Sequence, residues 1–100
     1  MINVGIVGYG YWGPNLVRNF TNNKSCRVVA ICESNISKWS AIQKKYPSIK
    51  LVKDYDEFVG DSNLDAIVIC TPVSTHYLLA AKALEKRKHV FVEKPLTADI

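Results

Sequence analysis

The sequence alternates between short apolar runs rich in β-branched residues and longer stretches with helical spacing of their apolar residues. This alternation limits the possible folds more than any other feature. The five apolar runs that we predict as strands are residues 2–7, 27–32, 51–52, 65–70 and 89–92. Strands that alternate with helices form parallel βαβ units, which right-handed crossovers arrange with strand order 3-2-1-4-5. We therefore predict an α/β fold with a doubly wound parallel sheet.

Residues that favour helix starts lie between the predicted strands. Pro14 suits a first helical position, because the N–H that it lacks has no partner there in any case. Ser34 or Asn35 is expected to cap the second helix. Asp54, followed three residues later by Glu57, marks the start of a short third helix.

The fourth predicted helix is the longest. Ser74 or Thr75 is expected to begin it, and residues 86–88 are expected to form its last turn. Its predicted apolar face consists of Tyr77, Ala80, Ala81 and Leu84.

The net charge of +4 raises the possibility of a nucleic-acid partner. The basic residues are scattered, however, apart from residues 44–45 and 86–88, which close predicted helices where cations complement the helix dipole. Aromatic residues are not interleaved with them. We therefore expect no nucleic-acid partner.

Cys26, Cys32 and Cys70 show neither a CxxC motif nor the spacing of a zinc site. We expect no bound metal, and free cysteines point to a reducing compartment. The first residues lack the basic region of a signal peptide, and apolar runs near eighteen residues are absent from the sequence. These features predict a cytoplasmic protein without a membrane partner.

The end of the first predicted strand carries the motif GxGxxG, in the sequence GYGYWG. Gly8 would allow a tight turn, Gly10 would let a pyrophosphate approach the backbone, and Gly13 would let the following helix pack closely. The N–H groups at the start of that helix would face the phosphates. We predict a dinucleotide-binding turn that includes Tyr11 and Trp12, although three glycines could also serve only to shape the turn.

Glu33 ends the second predicted strand, twenty residues after Gly13. A carboxylate at this position can accept hydrogen bonds from the adenosine ribose, and it repels a 2′-phosphate. The neighbouring Ser34, a further candidate contact, and Asn35 carry no positive charge. NAD is therefore favoured over NADP. The alternative is that Glu33 is a solvent-exposed strand exit.

The fourth predicted strand ends at Thr71-Pro72, followed by His76 near a helix start. This loop would border the nicotinamide half of a bound dinucleotide. His76 could contact the cofactor, or it could be a histidine of the helix-capping region. A metal site shared by His76 and His89 is not expected, because the two residues lie at opposite ends of one helix.

The sequence resembles the Gfo/Idh/MocA (glucose–fructose oxidoreductase / inositol dehydrogenase) family over essentially all 100 residues. The resemblance is carried by GYGYWG, by Glu33 and by TPVSTHYLLAAKALEKRKHVFVEKPL, in which Glu-Lys-Pro is the most specific step. It implies an NAD(P)-dependent oxidoreductase with a Rossmann domain that acts on a sugar, an inositol or a sugar derivative.

The resemblance also implies roles for particular residues. Lys94 would reach the substrate hydroxyl and the ribose of the cofactor, Glu93 would help to frame the nicotinamide, and Pro95 could follow a cis peptide bond. Thr71-Pro72 and His76 match the family's cofactor-side loop.

The chemistry of hydride transfer is consistent with a lysine at this position. Oxidising an alcohol in this way requires a group that handles the hydroxyl proton. The alternative is that Lys94 only forms an ion pair with Glu93 or with a neighbouring helix end.

We expect residues 1–100 to be the cofactor-binding part of a longer enzyme, which acts on a small-molecule sugar or sugar nucleotide and forms a homo-oligomer. The C-terminal α/β substrate domain of the family is not in this sequence, so the 100 residues alone are expected to be inactive. Two other classes remain open: an NAD-responsive binding module such as a redox-sensing regulator, and a methyltransferase that binds S-adenosylmethionine.

Overall fold

The computed structural model describes residues 1–9, 13–71 and 73–92, with the backbone alone at residues 13, 14, 16 and 73. Within these residues five strands alternate with four α-helices, and a short 3-10 helix (Ile36–Lys38) precedes the second of them. The elements are β1 (Ile2–Val7), α1 (Gly13–Thr21), β2 (Cys26–Cys32), α2 (Trp39–Lys45), β3 (Lys50–Val52), α3 (Tyr55–Val59), β4 (Ala66–Ile69), α4 (Val73–Glu85) and β5 (His89–Val92).

The five strands form one sheet in the order β3-β2-β1-β4-β5, and every neighbouring pair is parallel. This confirms the predicted doubly wound fold and its strand order. The sheet is buried on both faces, which explains why its strands read as apolar runs rather than as alternating polar and apolar residues.

Two apolar clusters cover the two faces of the sheet. The cluster on the α3 and α4 side includes Phe58 and Ala83, and the cluster on the α1 and α2 side includes Val17 and Ile42. Gly5 of β1 makes room for the first cluster, because a Cβ at this position would lie only 2.6 Å from Phe58 Cζ.

The predicted caps of the second and third helical segments are confirmed. Asn35 Oδ1 accepts a hydrogen bond from Ser37 N at 3.1 Å and caps the 3-10 helix that precedes α2. Asp54 Oδ2 accepts one from Glu57 N at 3.1 Å at the start of α3. Both side chains accept hydrogen bonds from backbone N–H groups that have no partner within the helix.

The predicted apolar face of α4 is wrong in part. Tyr77 is 86% exposed and Leu84 is 62% exposed, whereas Ala83 is buried and Leu79 and Ala80 pack against the core. Since α4 carries apolar residues on more than one face, the spacing alone does not identify the side that meets the sheet. The helix also begins at Val73, before the predicted Ser74 or Thr75.

The prediction that residues 86–88 form the last turn of α4 is also wrong. The helix ends at Glu85, and Arg87 adopts a left-handed conformation with φ of 62°. Lys88 is buried, and its ammonium donates hydrogen bonds to Asp61 O and Leu64 O, both at 2.7 Å. Lys88 therefore ties the loop before β4 to the turn before β5.

None of the helices in the part of the chain that the structure describes has the length and apolarity that a membrane crossing requires.

Candidate dinucleotide site at the carboxyl edge of the sheet

The carboxyl ends of all five strands lie in one row across the sheet. Backbone pairing aligns Val52, Cys32, Val7, Ile69 and Val92 in this order from β3 to β5. Neighbouring strands are roughly 4.8 Å apart, so the ends of β2 and β5 are separated by roughly 14 Å. The residues that follow the row in sequence are Lys53, Glu33, Gly8, Cys70 and Glu93.

Gly8 forms the turn that leaves β1. Its φ is +92°, a conformation that residues with a side chain rarely adopt. A Cβ at this position would lie 2.9 Å from Thr71 Cγ2 and 3.3 Å from the backbone C and O of Cys70. The turn therefore needs glycine both for its conformation and for its close approach to the end of β4.

Glu33 is held at the end of β2 by backbone amides. Its Oε1 accepts a hydrogen bond from Tyr9 N at 2.8 Å, and its Oε2 accepts one from Asn35 N at 2.9 Å. The residue is only 7% exposed, so the alternative of a solvent-exposed strand exit is wrong. Its carbonyl oxygen accepts a hydrogen bond from Trp39 Nε1 at 2.9 Å, which anchors the start of α2 to the same edge.

Cys70 contacts the glycine turn from the opposite side. Its Sγ lies 2.7 Å from Gly8 O and 3.2 Å from Val7 O, and its backbone N–H donates to Val7 O at 3.0 Å. The sequence pattern identified Cys70 only as a small buried residue. Its position directly before Thr71, at the end of a strand, is the signal that could have placed it at the site.

Thr71 and His76 organise the loop that follows β4. His76 Nε2 lies 2.7 Å from Thr71 O, and because a carbonyl oxygen only accepts, the hydrogen bond requires a proton on Nε2. The Thr71 and Thr75 hydroxyls form a second hydrogen bond across the helix start at 2.6 Å. This geometry gives His76 a contact to the loop before the helix, while its contact with a cofactor stays a prediction.

The remaining predicted site residues divide into two groups. Gly13 is the first residue of α1, and Ser34 is exposed beside Glu33 at the end of β2. The others lie outside the described residues: Gly10, Tyr11, Trp12, Pro72, Glu93, Lys94 and, with its predicted cis bond, Pro95.

The thiol of Cys32, at the end of β2, is unsuited to nucleophilic chemistry. Burial raises the pKa of the Cys32 thiol to about 12, and the carboxylates of Asp54 and Glu33 contribute to the shift. The thiol is therefore protonated at neutral pH and is a poor nucleophile. Across the described ranges, no group of three or more His, Cys, Asp or Glu side chains could hold a metal ion.

A parallel sheet, a turn that requires glycine and a buried carboxylate at the end of the next strand together define a dinucleotide-binding α/β protein. Comparison with known proteins identifies the family more closely. Residues 2–100 match the model of the Gfo/Idh/MocA family, described as an oxidoreductase family with an NAD-binding Rossmann fold. The chain belongs to this family.

Several relatives resemble this chain over nearly its whole length. The chain is 34% identical to the uncharacterized oxidoreductase YdgJ of Escherichia coli, covering 99% of this chain and 28% of the relative. It is 33% identical to inositol 2-dehydrogenase 1 of Saccharopolyspora erythraea, covering 97% of this chain and 29% of that protein. The chain therefore spans less than a third of the length of these relatives.

The fold also resembles a solved structure with ligands. The scyllo-inositol dehydrogenase of Lactobacillus casei, crystallised with bound cofactor NAD(H) and scyllo-inositol, matches with a TM-score of 0.87 and 29% identity. The match covers 95% of this chain and 28% of that structure.

Proposed function

We propose that this chain is the cofactor-binding part of an NAD-dependent oxidoreductase, which transfers a hydride between the nicotinamide and a secondary hydroxyl of a sugar, an inositol or a sugar nucleotide. The observation that carries the proposal is the pairing of Gly8 with Glu33 at one edge of the sheet, in a chain of an oxidoreductase family. The residues at this edge fit NAD in two respects, its phosphates and its adenosine ribose.

The fit to the phosphates depends on the tight turn at Gly8. Without a Cβ the turn can lie directly against Thr71 and the end of β4, with a φ of +92° that residues with a side chain rarely adopt. A tight glycine turn before a helix start is the arrangement that binds pyrophosphate groups in this kind of fold, because backbone N–H groups can reach the phosphate oxygens.

The fit to the ribose depends on the remaining capacity of Glu33. Each of its carboxylate oxygens accepts one hydrogen bond from a backbone amide, and a carboxylate oxygen can accept two. Both oxygens thus keep an acceptor site for a ribose hydroxyl. The negative charge of Glu33 and the absence of charge at Ser34 and Asn35 favour NAD over NADP.

Lys94 is the residue that we assign to proton transfer. It follows Val92 by two residues, and Val92 lies in the row of strand ends that contains Val7, two strands away. NAD, when bound, supplies the hydride acceptor. The lysine would hold the hydroxyl of the substrate and take up its proton, and a dry site beside a cationic nicotinamide disfavours the charged ammonium and so favours this role. Glu93 would frame the nicotinamide.

Other properties belong to the whole protein. We propose that it carries a C-terminal α/β substrate domain, that it is cytoplasmic and that it forms a homo-oligomer. The substrate class is supported by the inositol dehydrogenases among the relatives. Light scattering on the full-length protein would measure the oligomeric state.

The test uses the full-length protein and titrates NADH and NADPH by fluorescence. Glu33→Ala is expected to weaken NADH binding by about tenfold or more, because hydrogen bonds to a charged group are lost. Glu85→Ala removes an exposed carboxylate far from the glycine turn and serves as the matched control. Unchanged NADH affinity in Glu33→Ala would contradict the assignment, and displacement of NADH by S-adenosylmethionine would favour a methyltransferase.

A second candidate function is an NAD-responsive binding module without turnover. It is supported by the glycine turn and the buried Glu33, because both features serve binding and neither requires turnover. Lys94→Ala separates the two functions in an assay of NAD reduction with inositols and sugars. The enzyme requires turnover in the wild type and its loss in the variant, with NADH binding retained. Full turnover in Lys94→Ala would refute the role of the lysine.

A further inference from the structure

We infer that Glu33 and Cys70 act together as positioning residues that fix the peptide unit between Gly8 and Tyr9, and through it the phosphate-binding turn. The inference rests on the proposed function and deepens it. It gives Glu33 a second role, which does not involve the ribose of the cofactor.

The contacts of Glu33 and Cys70 are made with opposite ends of one rigid peptide unit. The carbonyl of Gly8 and the N–H of Tyr9 belong to the same planar peptide unit and point in opposite directions. Gly8 O lies 2.7 Å from Cys70 Sγ on the β4 side, and Tyr9 N lies 2.8 Å from Glu33 Oε1 on the β2 side. Rotation of this peptide plane would break both contacts at once.

Glu33, which contacts the turn, is itself fixed by a hydrogen bond and by burial. Glu33 Oε2 accepts a hydrogen bond from Asn35 N at 2.9 Å, and the side chain is almost completely buried. Asn35 is in turn fixed by its capping contact with Ser37 N at 3.1 Å. The carboxylate therefore presents Oε1 to Tyr9 from a fixed position. Cys70 is fixed by its backbone N–H, which donates to Val7 O at 3.0 Å.

The peptide unit lies where its orientation affects ligand binding. It directly follows the left-handed position of Gly8, and it directly precedes the predicted phosphate-binding residues that begin at Gly10. Because the chain continues from this peptide unit into those residues, turning the unit over would change the direction in which the chain enters them. Glu33 would thus favour phosphate binding through the turn, although its own negative charge repels a phosphate.

This second role has a signature opposite in sign to the direct role. If Glu33 only contacts the ribose hydroxyls, a ligand without them should bind Glu33→Ala unchanged, or more tightly because a negative charge near the phosphates has gone. If Glu33 positions the turn, the same ligand should bind more weakly. ADP and 2′,3′-dideoxy-ADP are the matched pair of probes.

The experiment measures both probes by calorimetry on the full-length protein. Glu33→Ala is expected to weaken dideoxy-ADP about tenfold, the factor that follows from losing one hydrogen bond to a charged acceptor. Glu33→Gln keeps an acceptor oxygen for Tyr9 and should restore part of this affinity. Cys70→Ser keeps a donor for Gly8 O and should bind nearly as the wild type does, whereas Cys70→Ala should bind more weakly.

A second measurement needs no ligand. Hydrogen exchange of the Tyr9 amide should become roughly tenfold faster in Glu33→Ala, because the amide loses its acceptor. Exchange in the core of the sheet, for example at Ile67, should stay unchanged, which separates a local effect from general loss of stability. Glu85→Ala should change neither quantity.

The outcomes separate the two proposals. Unchanged Tyr9 exchange in Glu33→Ala, or unchanged or tighter dideoxy-ADP binding, overturns the positioning role even when NADH binding confirms the proposed function. If the wild type binds neither NADH nor ADP, the proposed function fails. The effect on phosphate binding then fails with it, while faster Tyr9 exchange would still support the hold on the peptide unit.

Discussion

Replacing Gly8 by alanine tests the geometry of the glycine turn directly. The new Cβ would meet Thr71 Cγ2 at 2.9 Å and the backbone of Cys70 at 3.3 Å, in a residue whose φ is +92°. The Thr71 methyl could yield by a small rotation, but the Cys70 backbone is part of the sheet edge and cannot move without disturbing β4. We expect Gly8→Ala to destabilise the chain.

The magnitude has two parts. A left-handed backbone conformation costs a residue with a side chain roughly 1–2 kcal/mol. An additional carbon in a tightly packed place costs about 1–3 kcal/mol. The free energy of unfolding should therefore fall by about 2–5 kcal/mol, a large part of the roughly 5–15 kcal/mol of a typical domain.

Equilibrium urea unfolding of the chain, followed by circular dichroism, measures the change. Thr71→Ser removes the methyl group but keeps the hydroxyl that meets Thr75. The double variant Gly8→Ala/Thr71→Ser should be more stable than Gly8→Ala by about 1 kcal/mol, because the contact of the new Cβ with the Thr71 methyl is gone. The cost of the left-handed conformation should remain. Gly60→Ala is the control for the backbone part, because Gly60 has a φ of −83°, while its Cβ would also lie 3.3 Å from a backbone atom, Asp56 O.

The reasoning would be refuted in either of two ways. If Gly8→Ala unfolds at the same urea concentration as the wild type, the turn does not need the left-handed conformation. If Thr71→Ser gives no recovery in the double variant, the close approach of the turn to the end of β4 is not a source of the cost.

Three further predictions concern stability. Gly5→Ala should lower the free energy of unfolding in urea by about 1–3 kcal/mol, because its Cβ would lie 2.6 Å from Phe58 Cζ. Phe58→Leu should then cost less in the Gly5→Ala variant than in the wild type, and additive costs would contradict this. Arg87→Gly should raise the free energy of unfolding by about 1 kcal/mol, because glycine adopts the φ of 62° without strain, and a lower value would refute it. Burial raises the pKa of Cys32 and of Tyr55 to about 12, so the folded state keeps protons that the unfolded state releases above pH 9–10. The free energy of unfolding should therefore fall as the pH rises to 12, by at most about 1.4 kcal/mol per pH unit for each group. If Cys32→Ala does not reduce this slope between pH 9 and 10, the prediction is contradicted.

Much of the fold could be predicted from the sequence because its signals are local. The runs that became β1 and β5 are apolar and bounded by glycine or charged residues, and alternation with helices implies parallel pairing. Glu33 could be placed in the same way, since the distance from the glycine motif to the end of the second strand is nearly constant in this kind of fold. The burial of Glu33 could not be predicted, because the buried carboxylate depends on hydrogen bonds from the amides of Tyr9 and Asn35.

The features that the sequence did not reveal depend on residues far apart in the chain. Lys88 looks like a helix-terminal cation, but its ammonium meets Asp61 O and Leu64 O, which only the folded chain brings within reach. Cys70 looks like a small apolar residue, but its thiol meets Gly8 O, 62 residues earlier. Neither contact leaves a periodic pattern, so neither could be predicted.

The row of strand ends explains why these separate residues can form one site. The acid after β2 and the turn after β1 are one strand spacing apart, roughly 4.8 Å, and the end of β5 is two spacings further along the row. These separations are set by backbone hydrogen bonds between buried strands, not by the loops that carry the chemistry. A loop substitution such as Glu33→Ala should therefore alter local contacts, including the one with the Tyr9 amide, and leave the spacing of the strands intact. A substitution that shifts a strand in register would instead displace every position at the edge together.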